Sequence, residues 1–237
     1  MLSLKEWASL EYHNTLNPKL WDGDDELLPE VKAHLKQIEK DFISFLKIDK
    51  SIIIDTYLTG SNCNYQYSKL SDIDMHLMCR YDPNAVDSTG KNAQDVFNTY
   101  RNLYNSSHKL FINGIPIETY VAPISETVTS DAGVYALNAG KWINKPIHGD
   151  KIVYDVKTIK AKAEPLKLAI NDLIKGNATE KAIHDVKSKI WQYRAEGLYN
   201  GGEMSTGNLV FKSVRNQGYL QKLLDYEKKQ QDKSLSL

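Results

Sequence analysis

The sequence predicts an α+β protein in which a mixed, partly antiparallel sheet flanked by helices is followed by an all-helical part. Three observations lead to this expectation. Segments that are rich in β-branched residues or alternate in polarity occur between residues 51 and 143. Asn113-Gly114 separates two apolar segments, as in a tight β-hairpin. From about Lys157 onward, apolar residues recur only at helical spacing.

The front part of the chain is expected to contain one long helix, one shorter helix and six strand segments. A turn-rich stretch over residues 16–25 precedes the long helix, and Pro29 suits the first turn of that helix. Its apolar residues share helical spacing: Val31, Leu35, Ile38, Phe42, Phe45 and Leu46. The shorter helix is expected over residues 92–106, and the strands over residues 51–58, 72–78, 110–112, 115–121, 134–137 and 141–143.

The back part is expected to consist of helices alone. Apolar residues at helical spacing predict three of them, over residues 166–174, 183–193 and 206–223. Residues 227–237 are rich in Lys, Gln and Ser and are expected to fray. The sequence therefore predicts a front domain over residues 1–155, which includes a helical lead-in, and a helical domain over residues 156–237.

Length and composition are typical of a globular protein with a sizeable core. The chain has 237 residues, of which 41% are hydrophobic and 25% are charged. No run of 18 apolar residues occurs, so no membrane span and no membrane partner are expected. The N-terminal residues lack the apolar segment of a secretory signal. Cys63 and Cys79 lie in no metal-binding spacing, which favours reduced thiols and a cytoplasmic location.

Charge is divided unevenly along the chain. Residues 1–150 carry 14 basic and 20 acidic residues, whereas residues 151–237 carry 16 basic and 10 acidic residues. An acidic front part suits metal binding, and a basic back part suits contact with phosphates. The alternative, which the sequence leaves open, is that the lysines only solvate exposed helix faces.

The strongest chemical signal is the pair Asp72 and Asp74 in a predicted strand. Residues two apart in a strand project from the same face, so both carboxylates are expected to point the same way. Two like charges on one face repel each other and favour a compensating cation. Magnesium prefers carboxylate oxygens and shares its ligand shell with substrate phosphates. Such a pair also occurs on solvated strand faces, and that interpretation stays open.

Glu118 is the best candidate for a third carboxylate. It lies in an otherwise apolar strand, just after the Asn113-Gly114 turn. An isolated acid in that setting favours a cation or exposure to water. The alternative interpretation is that Glu118 only makes an edge strand more polar. Other acidic residues are weaker candidates because they lie in loops or turns: Asp82, Asp87, Glu126 and Asp131.

Gly60 and Ser61 follow the first predicted strand. A glycine at a strand end lets the backbone approach a ligand, and a short helix that starts there would offer N–H groups to a phosphate. The Ser61 hydroxyl would add one more donor. No Gly-Lys-Ser or Gly-Lys-Thr follows, so the segment is not a Walker loop. The simpler alternative is a turn that binds nothing.

In these residues the chain resembles the DNA polymerase beta-like nucleotidyltransferases. That family combines a hydrophobic step ending in Gly-Gly or Gly-Ser, a spacer, Asp-x-Asp or Asp-x-Glu, and a later acid inside a strand. Three segments match these parts: Leu58-Thr59-Gly60-Ser61, residues 71–77 and Ile117-Glu118-Thr119. Residues 16–22 and 208–212 are also similar to predicted nucleotidyltransferases of bacteriophages. Many small family members have an arginine just after Gly-Ser, whereas Asn62 and Cys63 stand here.

The resemblance implies that the front domain is catalytic. A nucleoside monophosphate would move from a nucleoside triphosphate, such as ATP, to an acceptor hydroxyl, with release of pyrophosphate and with an RNA end as one candidate acceptor. Two Mg²⁺ or Mn²⁺ ions would be bound by three carboxylates: Asp72, Asp74 and Glu118. Gly60 and Ser61 would contact the terminal phosphates. Basic residues of the helical part are candidates to neutralise the triphosphate: Lys187, Lys212 and Arg215.

Two alternatives stay open at this point. The acceptor could be a protein side chain or another nucleotide, which would make the chain a protein-modifying or a nucleotide-signal-making enzyme. The chain could also be a nucleotide-binding module without turnover, although the presence of all three carboxylates favours catalysis. The acceptor, the preferred base and the oligomeric state do not follow from the sequence.

Overall fold

The fold is described from a computed structural model. The described residues are 12–23, 26–125, 133–148, 155–176 and 178–236, apart from the side chain of Glu203. They form two compact units, one within residues 12–150 and the other within residues 151–237. The predicted boundary between residues 155 and 156 stays a proposal, because residues 149–154 lie outside the described ranges.

The first unit contains two helices and eight strands among its described residues. Its helices are α1 (Pro29–Leu46) and α2 (Ala93–Ser107). Its strands are β1 (Trp21–Asp22), β2 (Glu26–Leu27), β3 (Ile53–Thr59), β4 (Ile73–Cys79), β5 (Phe111–Ile112), β6 (Ile115–Pro123), β7 (Val134–Ala136) and β8 (Lys141–Asn144). The predicted strand that was expected to begin at residue 51 begins at Ile53, because Lys50–Ile52 forms a 3₁₀ turn.

Six of these strands form one mixed sheet in the order β5-β6-β4-β3-β7-β8. Strands β4 and β6 are parallel, and the other neighbours are antiparallel. Strands β1 and β2 form a separate two-stranded sheet. Helices α1 and α2 both contribute to the cores beside the large sheet. The predicted α+β class, with a mixed, partly antiparallel sheet flanked by helices, is confirmed.

The core determines which face of β4 carries the acidic residues. Ile73 and Met75 are buried in the main core of the unit, which also contains Val31 and Leu35 of α1. Burial of each such apolar side chain contributes about 1.5–3 kcal/mol. Because strand side chains alternate, the register that buries Ile73 and Met75 places Asp74 on the opposite face.

The second unit contains four helices among its described residues: α3 (Val156–Lys175), α4 (Glu180–Gly201), α5 (Thr206–Asn216) and α6 (Tyr219–Leu235). They share one hydrophobic core, in which Ile170, Ile190 and Leu223 are fully buried. The prediction of an all-helical back part is therefore confirmed. Among the helices of the described ranges, none combines the length and the apolar character that a membrane span requires.

Two details of the helical unit differ from the prediction. The expected single helix over residues 206–223 is two helices, because Gly218 has φ +78° and begins a new helix. The expectation that residues 227–237 fray is wrong for the described part of that segment, since α6 continues to Leu235. Glu227 Oε1 of α6 lies 2.5 Å from Lys187 Nζ of α4, and this ion pair joins the two helices.

Candidate active site

Asp74 lies in the middle of the large sheet, on β4 between β3 and β6. The strand register places it opposite Thr59 of β3 and opposite Glu118 of β6. Residues that are paired across neighbouring strands project from the same face, so the carboxylates of Asp74 and Glu118 lie side by side. Asp72 comes immediately before β4, which begins at Ile73 and not at Asp72 as predicted.

Asp72, Asp74 and Glu118 form a cluster of three carboxylates. Each offers one oxygen, and these three oxygens lie within 4.8 Å of one another. Asp72 and Asp74 are half-buried, and Glu118 is exposed. Ligand oxygens on one Mg²⁺ ion lie about 3–4 Å apart, given bonds of about 2.0–2.1 Å. The donor chemistry and spacing of the cluster therefore fit a divalent ion after a small closure of the side chains.

Gly60 brings the turn after β3 directly against Asp74. Its φ of +80° lies in the left-handed region that favours glycine. A Cβ atom at this position would lie only 2.1 Å from Asp74 Oδ2. The next residues, Ser61–Cys63, form a 3₁₀ turn, which is the short helix that was expected after Gly60. The first backbone N–H groups of a helical turn have no hydrogen-bond partner within the turn. A phosphate contact requires N–H groups of this kind.

The Ser61 hydroxyl bonds within the protein. It donates to Ser71 Oγ at 2.7 Å, and the same Ser71 oxygen accepts from the Ser68 backbone N–H at 2.9 Å. This pair of bonds links the Gly60 turn to the segment that leads into Asp72. A phosphate contact through the Ser61 hydroxyl would exchange the bond to Ser71, and that role stays a prediction.

Asn62 braces the same turn from inside the protein, and sequence reasoning assigned it no role. Its Nδ2 donates to the backbone oxygen of Asp72 at 2.7 Å. Its Oδ1 accepts from Asn17 Nδ2 at 2.8 Å, and its backbone oxygen accepts from Trp21 Nε1 at 2.8 Å. Asn62 is 1% exposed, so these bonds satisfy a buried amide. The only signal in the sequence was its place directly after Gly60-Ser61.

Tyr120 lies beside Glu118 on the same face of β6, and it too was missed. Its hydroxyl donates to Glu118 Oε2 at 2.5 Å, and its ring stacks on His76 with centroids 4.7 Å apart. Burial and the nearby charge of Asp74 raise the pKa of Tyr120, so the phenol stays protonated. Burial, with a smaller effect of Arg101, lowers the pKa of His76 to about 4. His76 is therefore a neutral packing partner. The two-residue spacing from Glu118 was the available signal for Tyr120.

Both cysteines are free and buried. Burial and the charge of Asp74 raise the pKa of Cys63 well above its usual value, and burial raises the pKa of Cys79 to about 11. Thiolates are the form that binds metals. The two thiols are therefore protonated near neutral pH in the metal-free protein, and among the described residues neither belongs to the carboxylate cluster.

The weaker acidic candidates have structural roles or lie outside the described residues. Asp87 Oδ1 accepts from the Lys91 backbone N–H at 3.1 Å and closes its own loop. Asp82 Oδ1 accepts from the Asn84 backbone N–H at 2.9 Å. Two further candidates fall outside the described ranges: Glu126 and Asp131.

The three basic residues that were expected to contact the triphosphate all belong to the helical unit. Lys187 of α4 donates to Glu227 Oε1, so its charge is already compensated. Lys212 and Arg215 lie three residues apart on α5 and share a face of that helix. Arg215 is exposed, and Lys212 is half-buried. Their contact with a triphosphate stays a prediction.

No protein-family model and no curated protein matches the chain. Among solved structures, the chain is similar to a chain of the CdnC:HORMA-deltaN complex of E. coli MS115-1, with 12% sequence identity and a TM-score of 0.25. The match covers 82% of this chain and 62% of that chain, so this chain spans less than two thirds of its neighbour's length. A likeness this weak carries no argument about function, and the function proposed below rests on the site residues.

Proposed function

We propose that this chain is a metal-dependent nucleotidyltransferase of the DNA polymerase beta-like superfamily. It transfers a nucleoside monophosphate from a nucleoside triphosphate to an acceptor hydroxyl and releases pyrophosphate. The observation that carries the proposal is the cluster of Asp72, Asp74 and Glu118 with its oxygens within 4.8 Å of one another. The Gly60 turn against Asp74 and the order of the motifs along the chain support the same interpretation.

The residues of the cluster have different tasks in this proposal. Asp72 and Asp74 would hold two Mg²⁺ or Mn²⁺ ions, and Glu118 would hold one of the two. Such ions lower the pKa of an acceptor hydroxyl and neutralise phosphate charge. Glu118, which is exposed, accepts the proton of the acceptor hydroxyl. The acceptor oxygen bonds to the α-phosphorus while the bond from that phosphorus to the pyrophosphate oxygen breaks.

The surrounding groups hold this arrangement. Gly60 lets the backbone of its turn approach the terminal phosphates, because no Cβ stands between the turn and Asp74. Tyr120 orients Glu118 through the bond from its hydroxyl to Oε2. Lys212 and Arg215 remain the proposed partners of the triphosphate, whereas Lys187 is less suited because Glu227 already compensates it.

The acceptor is a finer part of the proposal. We favour an RNA end, because residues 151–237 carry 16 basic and only 10 acidic residues. A protein side chain or a second nucleotide would make the same use of the carboxylates. The class of acceptor is decided by which added molecule becomes labelled.

The test is a transfer assay with each of the four nucleoside triphosphates labelled at the α-phosphate. The purified chain is incubated with Mg²⁺ or Mn²⁺, alone, with total RNA and with cell extract. We expect label in an acceptor and in no sample that contains EDTA. Asp74→Asn is expected to reduce transfer by about a hundredfold to a thousandfold or more, the scale of a lost electrostatic contact in catalysis. Its thermal midpoint should be unchanged or slightly higher, because one of the clustered like charges is removed.

Asp82→Asn is the matched control, since Asp82 is an exposed carboxylate that follows the same strand but lies outside the cluster. It should transfer label as the wild type does. A folded Asp74→Asn variant that keeps a tenth of the wild-type activity would refute the assignment. Binding of a triphosphate without any transfer, across all acceptors tested, would favour the nucleotide-binding module.

A further inference from the structure

The helical unit carries two arginines and two aromatic rings where α4 meets α5. Trp191 and Arg194 lie one turn apart on α4, and Phe211 and Arg215 lie one turn apart on α5. The guanidinium carbons of Arg194 and Arg215 lie 4.8 and 5.7 Å from the centroid of the Phe211 ring. The ring of Trp191 lies 5.1 Å from the same ring. We call these four residues the Phe211 cluster.

The two guanidinium groups of the Phe211 cluster bring two positive charges close to one ring. They lie no more than 10.5 Å apart, because 4.8 and 5.7 Å separate them from one ring centroid. Neither Arg194 nor Arg215 lies within 4.0 Å of a carboxylate, among the side chains that the structure describes. Arg215 uses its Nε to donate to Asn216 Oδ1 at 2.9 Å. Its terminal nitrogens keep their capacity to bind an anion.

At a second ring in the same unit, an acid compensates one of the two cations. Lys167 and Lys222 lie 5.8 and 4.8 Å from the centroid of the Tyr219 ring. There, Lys167 is buried and bonds to Glu164 Oε1 at 2.8 Å. Gln217 accepts a further bond from the same ammonium group at 2.8 Å. The Phe211 cluster likewise has two cations over one ring, but none of the carboxylates that the structure describes lies within 4.0 Å of them.

The chemistry of the Phe211 cluster points to a ligand with a phosphate and a planar ring. A guanidinium that stacks on an aromatic face leaves its N–H edge available for two parallel bonds to a phosphate. Trp191 is 46% exposed, and an exposed indole face stacks on nucleobases whatever their sequence. Phe211 is 1% exposed and forms a rigid floor for both arginines.

We infer that the Phe211 cluster is a nucleotide-binding site, with phosphate at Arg194 and Arg215 and a base on Trp191. The choice of a nucleotide, over another phosphorylated ring compound, rests on the proposed function. The ligand is either a free nucleoside triphosphate or a nucleotide of a single-stranded RNA, because both present a phosphate and a base. The site lies within the helical unit, and its binding needs no divalent ion.

The test measures binding by fluorescence anisotropy in EDTA, with the full chain and two probes. The first probe is a fluorescently labelled nucleoside triphosphate, tested in turn with each of the four bases. The second probe is a labelled single-stranded RNA. We expect Arg194→Gln with Arg215→Gln to weaken binding by about tenfold or more, the effect of losing one charge-assisted bond of about 1.4 kcal/mol or more. For the RNA probe, the slope of log affinity against log salt should fall by about 1.4.

Lys222→Gln is the matched control, because it removes a cation that stacks on an aromatic ring elsewhere in the same unit. It should bind both probes as the wild type does. Trp191→Ser should weaken binding by about fivefold or more through lost stacking. This second variant alters an exposed side chain and leaves both arginines in place. Thermal unfolding of each variant checks that the fold is kept.

The outcomes separate the ligand sources and the two proposals. Arginine-dependent binding of the triphosphates alone, or of the RNA alone, assigns the site to that ligand. The inference is overturned if the wild type binds neither probe in EDTA, or if both the double arginine variant and Trp191→Ser bind as the wild type does. A chain with Asp72→Asn and Asp74→Asn should still bind the probe. Loss of transfer with intact EDTA binding therefore concerns the carboxylates. Loss of EDTA binding in the double arginine variant concerns the Phe211 cluster, whether or not transfer is kept.

Discussion

Gly60→Ala is the substitution for which the structure gives the clearest expected magnitude. An alanine must adopt the Gly60 φ of +80°, which costs about 1–2 kcal/mol for a residue with a Cβ atom. The new Cβ atom would also lie 2.1 Å from Asp74 Oδ2, where 3.0 Å is the lower limit of real Cβ contacts. The turn and the carboxylate must therefore move apart by about 0.9 Å.

The cost of the backbone conformation and the displacement of Asp74 change different measured quantities. The backbone cost should lower the thermal midpoint by about 2–8 °C, at about 2–4 °C for each kcal/mol. The displacement of the Asp74 carboxylate should reduce transfer by about a hundredfold, which is the scale of a 1 Å misplacement in an active site. Mn²⁺ affinity, measured by electron paramagnetic resonance, should fall with the transfer rate.

Gly90→Ala separates the two effects. Gly90 has φ +81°, and a Cβ atom there would meet nothing within 4 Å. It should therefore show a similar loss of thermal stability with wild-type Mn²⁺ affinity and wild-type transfer. If Gly60→Ala binds Mn²⁺ and transfers as Gly90→Ala does, the Gly60 turn has no role in holding Asp74 for a metal.

Two further predictions concern the residues that hold the site. Asn62→Ala should lower the free energy of unfolding by about 2–6 kcal/mol in urea titrations, because the Asp72 carbonyl and the Asn17 amide each lose their bond to Asn62 at about 1–3 kcal/mol. A loss under about 0.5 kcal/mol would show that these two bonds contribute little. Tyr120→Phe keeps the stacked ring and removes the hydroxyl that donates to Glu118, so kcat should fall about tenfold while the thermal midpoint stays unchanged. An unchanged kcat would contradict the role of Tyr120 in orienting Glu118.

The sequence could predict which three carboxylates the structure brings together because the signals for them were local. The alternation of Asp72, Ile73, Asp74 and Met75 already separates an acidic face from a core face. Glu118 interrupts an apolar strand and follows a recognisable hairpin turn. Each of these patterns depends only on residues close together in the chain, where strand geometry alone determines which side chains share a face.

The residues around the carboxylates could not be predicted in this way. Asn62 acts through a bond to the Asp72 carbonyl and a bond from Asn17, which are partners distant in sequence. The break at Gly218 was also missed, because a single glycine within apolar helical spacing does not show whether the backbone will adopt a left-handed conformation there. The conformation depends on how the helices on both sides pack.

The sequence by itself determined the α+β class, the helical back part and the identity of the three acidic residues. The tertiary structure decided that β4 and β6 are parallel neighbours in a register that pairs Asp74 with Glu118. It also decided that Arg194 and Arg215, from two different helices, meet over Phe211. Local periodicity shows which face of an element is apolar, but strand register and helix contacts follow from how those faces bury one another.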